Sequence, residues 1–164
     1  HPRLKAFLEA GANEHFTEAQ INYAWEIFHK GDKFEQAVVD WCFQNAAPLR
    51  NLNQDWLTIS YEQMVIEPVT VINSLIDRFG FEKPELMFGR LNKASNSTAK
   101  SNSESQAILR DESKLQESKR WLIEKWKAKV TDAQIDKTFE ILEVFGIDYY
   151  EKDSFLPKSK YLLS

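Results

Sequence analysis

WLTISYEQMVIEPVTVINSLIDRFGF, from Trp56 to Phe81, carries a strand signal, a turn signal and a helix signal in succession. Trp56-Leu57-Thr58-Ile59 is aromatic and β-branched, and it follows the polar run Asn51–Asp55, so it predicts a short buried strand. Glu67-Pro68 marks a helix start, because proline at the first helical position gives up only an N–H that would be orphaned anyway. Ile72, Leu75, Ile76 and Phe79 then recur at i, i+3, i+4 and i+7, and Gly80 supplies the stop. The expectation is a strand over 56–59 with the helix from Pro68 to Phe79 packed on it.

Outward from this stretch, the pattern is helical on both sides. Leu4–Glu9 reads as a helix. Thr17-Glu18-Ala19-Gln20 is a capping box with Phe16 and Ile21 as its staple, and Ile21, Ala24, Trp25 and Phe28 follow as a stripe ending before Gly31. Phe34, Val38, Trp41, Cys42 and Asn45 share a face of the next helix, which is expected to stop ahead of Pro48. On that apolar face Asn45 calls for a backbone carbonyl as partner, with ligand contact as the alternative.

Beyond Gly80, Pro84–Leu91 is a short connector, and 92–106 is nearly all small and polar, the composition of a surface loop. Leu115, Leu122 and Trp126 predict an amphipathic helix over about Glu112–Lys129. Thr131-Asp132-Ala133-Gln134 is a second capping box, opening a helix that turns Ile135, Phe139, Leu142 and Phe145 inward and stops at Gly146. Asp153–Ser164 reads as a tail packed through Phe155, Leu156 and Tyr161. Trp41, Leu75, Phe79 and Phe139 are the expected core.

The totals narrow the function classes. With 164 residues, 43% of them hydrophobic, the chain reads as a single domain or part of one, with enough apolar surface for a core. Net charge is −4 and Lys and Glu alternate along most predicted helices, so no nucleic-acid partner is expected. No apolar run reaches the ~20 residues that span a bilayer. Cys42 is the only cysteine, which fits a reducing cytoplasmic location and an inert buried thiol. His15 and His29 lack the spacing and company of metal ligands, so no metal is expected. The five glycines are scattered, leaving no phosphate-cradling loop, and the chain reads as part of a longer protein.

The order Trp-Leu-Thr-Ile, Tyr61-Glu62-Gln63-Met64, Glu67-Pro68, apolar helix, Phe79-Gly80 resembles the sulfotransferase family, in which a core strand ends in Tyr-Glu-x-Leu/Met before a Pro-initiated helix. Trp41-Cys42-x-x-Asn45 is similar to the Trp-x-x-x-Asn helix that precedes that strand, and Phe145-Gly146 to the end of the family's closing helix. His1-Pro2 resembles the end of its Arg-His-Pro motif. There the arginine would stand before His1, and Leu8 takes the place of a serine that holds the 3′-phosphate. Ala94-Ser95-Asn96-Ser97-Thr98 is similar to the family's Pro-Ser-x-x-Thr, with alanine for proline.

The resemblance implies an α/β protein: the C-terminal, mostly helical part of a P-loop-like sulfotransferase fold, with one short core strand near 56–60. It implies 3′-phosphoadenosine-5′-phosphosulfate (PAPS) as cofactor, with Tyr61 against the adenine and Ser95, Ser97 and Thr98 as further cofactor contacts, and Glu62 in a structural role. The acceptor, a small molecule, lipid or peptide bearing a hydroxyl or amine, and the catalytic base are not identified by it. Tryptophan stripes, caps and a polar loop also fit a non-enzymatic helical interaction module.

Overall fold

The computed structural model describes residues 2–11, 14–53, 55–89 and 115–163. Its elements are α1 (Pro2–Glu9), α2 (Glu18–Lys30), α3 (Lys33–Arg50), α4 (Tyr61–Ile66), α5 (Pro68–Phe79), α6 (Glu85–Phe88), α7 (Leu115–Glu124) running on as a 3-10 helix over Lys125–Lys129, α8 (Asp132–Val144), and a 3-10 turn over Ser159–Tyr161. They divide into two compact units. One comprises residues 1–57 and 130–152, the other 58–129 and 153–164.

The first unit packs α1, α2 and α8 around α3. Its centre is aromatic: Phe16, Phe43 and Phe145 meet edge to face, with centroids 4.6 Å apart for Phe16–Phe43 and 5.4 Å for Phe43–Phe145. Leu4, Leu8, Ala24, Val39, Cys42 and Ile141 complete it. Such rings bury large apolar areas, and their offset contacts add about 0.5–1.5 kcal/mol per pair.

Both expected capping boxes form. Thr17 and Thr131 each accept from the N–H three residues on at 3.2 Å, and Gln20 and Gln134 reach back to the threonine N–H groups. A third box, Asp32 with Glu35, starts α3. α8 ends in a Schellman motif: Gly146, at φ 65°, donates to the Glu143 carbonyl and Ile147 to that of Leu142. Asn45 does find its carbonyl, donating to Trp41 at 2.8 Å.

Pro48 does not stop α3, which runs on to Arg50. Pro48 lacks only the N–H that would pair with the Gln44 carbonyl, and the helix carries on for one more turn, its final carbonyls taken by side chains: Arg50 Nε donates to Ala46 and Asn51 Nδ2 to Ala47.

The second unit holds α4 to α7 and the C-terminal segment, with α4 against both α5 and α7. α5 has the bounds expected from sequence and ends on Gly80 in the left-handed conformation, φ 62°. It buries Val71 and Ile72, whereas Phe79 is 57% exposed and does not join the core as expected. Trp41, Leu75 and Phe139 are only half-buried.

The expected core strand near 56–60 is not a strand, and among the described residues none belongs to a β-strand. Extended backbone becomes a strand only when a neighbour takes up its N–H and C=O groups, and among the described residues this segment forms no such ladder. This stretch is the connection at which the chain leaves the first unit and enters the second. Trp56 is 56% exposed in consequence, against the expectation of burial. The described residues are thus mostly helical, and none of their helices is long and apolar enough to cross a membrane.

Candidate functional site

Tyr61 opens α4. Ser60, in extended conformation, caps that helix by accepting from the Gln63 N–H at 3.0 Å, so the turn expected after Ile59 is a six-residue helix. Placed at the first helical position, Tyr61 points outward and is 61% exposed. Glu67 closes α4 and opens α5 at once: its N–H donates to Gln63 and its carbonyl accepts from Val71, with Pro68 following at the first position of α5. The joint fixes where α5 starts relative to Tyr61.

Gln63 is the buried residue of this motif. Its side chain donates to the Leu163 carbonyl at 2.7 Å and accepts from the Leu163 N–H at 2.9 Å, while also donating to Glu67 at 3.3 Å. It therefore holds the C-terminal segment to α4. No periodic signal marks it, since its partner lies 100 residues away in sequence. Ser95, Ser97 and Thr98 lie outside the described residues, so of the four candidate cofactor contacts only Tyr61 has a described position. Leu8, at the place of the family's serine, is core in the first unit.

Two cavities lie in the first unit. One, of about 290 Å³, is walled by Phe34, Val38 and Trp41 of α3 and by Thr138 and Leu142 of α8, and it is almost wholly apolar. The other, of about 280 Å³, is polar and gathers Tyr23, Glu26, Lys30, Lys137 and Glu140. Tyr23 Oη lies 3.1 Å from Glu140 Oε1, and Lys137 Nζ donates to the same oxygen at 2.7 Å. The Lys137 hydrogen bond, then that of Tyr23, holds the Glu140 carboxyl below its usual value. Burial raises the Tyr23 phenol, and the bond to Glu140 raises the Lys137 ammonium. Tyr23 lies 114 positions from Lys137 and 117 from Glu140, so neither helix alone reveals the trio.

Cys42 is wholly buried and its thiol is pushed up to about 12 by desolvation, which keeps it protonated and unreactive. Among the described residues no group of three or more His, Cys, Asp or Glu is placed to hold a metal ion. No protein-family model, curated protein or solved structure matches the chain.

Proposed function

We propose that this chain is the C-terminal, mostly helical part of a PAPS-dependent sulfotransferase of α/β, P-loop-like fold, acting in the cytoplasm on a hydroxyl or amine acceptor. The observation that carries the proposal is the Trp56–Phe81 region. An extended segment runs into the Ser60-capped Tyr61-Glu62 turn, and a Pro68-initiated helix follows and ends at Gly80. The Tyr61-Glu62 turn, the Pro68 helix start and the Gly80 stop follow the order of the resemblance, with an unpaired extended segment where the family has its core strand, and Tyr61 is left accessible.

Bound, the nucleotide would supply the activated sulfuryl group. Tyr61 would stack on the adenine, an interaction open to an aromatic ring at the start of a helix whose other contacts are already made. Ser95, Ser97 and Thr98 would offer hydroxyls to the sugar and base. The cations and N–H groups that neutralise charge developing on the transferred group are not assigned to residues of this chain.

Titrating the protein with 3′-phosphoadenosine-5′-phosphate, followed by calorimetry and ligand-observed NMR, tests this. Weak but measurable binding is expected, little changed in Tyr61→Phe and reduced by about 1–3 kcal/mol in Tyr61→Ala. Binding indifferent to Tyr61→Ala would remove Tyr61 from the site. No binding at all would favour the non-enzymatic interaction module, a reading for which the exposed Phe79, Phe81 and Leu86 speak.

A further inference from the structure

The net charge of −4 conceals a local reversal. Residues 119–129, KRWLIEKWKAK, hold five cations and one carboxylate, a net of +4 over the end of α7 and the 3-10 helix that follows. Ile123 is 3% exposed and fixes this segment in the second unit, whereas Trp121 and Trp126 are 36% and 41% exposed. Lys125 Nζ stands 5.7 Å from the centroid of the Trp121 ring. Glu124 accepts from both Arg120 and Lys127 at 3.3 Å, and the same two cations lie over Phe155 of the C-terminal segment at 5.3 and 6.0 Å. The segment is thus tied down through its middle, while two indoles and a row of ammonium groups face water.

We propose that residues 119–129 form a docking face for an anionic lipid bilayer surface. Charge complementarity supplies the first half of the argument: clustered Lys and Arg are drawn to anionic headgroups within a Debye length. The indoles supply the second. A soluble polyanion without aromatic bases would be held by the cations alone, but two exposed tryptophans are placed at a cost in hydration that the headgroup–acyl boundary relieves, each ring entering apolar surroundings while its N–H stays wet. Lysine stems beside them can lie along the acyl boundary with their charges in the headgroups. The contact is peripheral, since this segment is far shorter than a span.

Cosedimentation of the full chain with sucrose-loaded vesicles tests it, comparing phosphatidylcholine alone with phosphatidylcholine containing about one-third phosphatidylserine. The protein should pellet with the anionic vesicles and not the neutral ones, and less so at high salt. Lys125→Glu with Lys129→Glu should abolish pelleting, and Trp121→Ser with Trp126→Ser should weaken it about tenfold or more. Brominated lipids should quench tryptophan emission in the parent protein but not in the double serine variant, which retains Trp25, Trp41 and Trp56. Circular dichroism confirms that each variant is folded, as expected for exposed positions. Equal pelleting with both vesicles, or none with either, overturns the proposal. So does retention on heparin without vesicle binding, which would make the partner a soluble polyanion, and so does a double serine variant that pellets like the parent.

Discussion

Phe145 and Phe79 both stand at the end of an amphipathic helix, and the sequence pattern points both inward. Phe145 is wholly buried against Phe16 and Phe43, and Phe79 is 57% exposed with Phe81 as its ring neighbour at 6.1 Å. Periodicity assigns a residue to a face; it does not say whether another element covers that part of the face. Phe145→Ala should therefore cost about 3–5 kcal/mol, because the emptied ring space lies between two other phenylalanines with little room to collapse. Phe79→Ala should stay within about 0.5 kcal/mol. Urea denaturation of the two variants separates them, and a large loss for Phe79→Ala would mean that its ring is covered in solution.

Helix ends were the most legible elements, because their chemistry is local. Thr17 with Gln20, Thr131 with Gln134, and Pro68 at the start of α5 each need only four adjacent residues to declare themselves. The strand expected at Trp56–Ile59 failed for the complementary reason. β-branched and aromatic residues state a preference, but a ladder partner is a fact about another part of the chain. Pro48 failed as a stop because, only two residues before the end of α3, it removes a single bond, and the final carbonyls after it are held by the Arg50 and Asn51 side chains. Of the candidate site, Tyr61 was legible from its motif, and the Gln63–Leu163 and Tyr23–Lys137–Glu140 contacts were not, being long-range. The glycine stops differ in kind. A methyl group at Gly80 would meet nothing within 4 Å, so Gly80→Ala should cost about 1–2 kcal/mol purely through the left-handed φ of 62°. At Gly31, φ is −74°, yet a Cβ would sit 2.7 Å from the Ile27 carbonyl oxygen. Thermal denaturation of Gly80→Ala and Gly80→Asn tests the distinction, since asparagine tolerates that conformation and should recover part of the loss.

At the scale of the molecule, long-range polar contacts inside each unit link helices that the apolar cores bring together. Gln20 Nε2 of α2 donates to the Val144 carbonyl of α8 at 2.9 Å, and the Tyr23–Lys137–Glu140 trio bridges the same two helices. The trio gives the first unit a signed dependence on pH. Glu140 is held below its ordinary value of 4.5, so its contribution is present above that pH and is lost as pH falls through the lower, folded value. Lys137 and Tyr23 are raised above 10.5 and 10.0, so theirs is complete below those values and is lost only as pH rises past the folded ones. Comparing the parent with Glu140→Gln isolates the acid limb from the protein's other carboxylates. The parent should melt higher at about pH 7, and the gap should close as pH falls toward about 3. Because the side chain of Glu140 is 54% exposed, the gap should also shrink in about 1 M salt, where the screening length falls to about 3 Å. No gap at any pH would show that Glu140 bridges α2 and α8 through hydrogen-bond geometry that the neutral amide reproduces, with its charge contributing nothing to the fold.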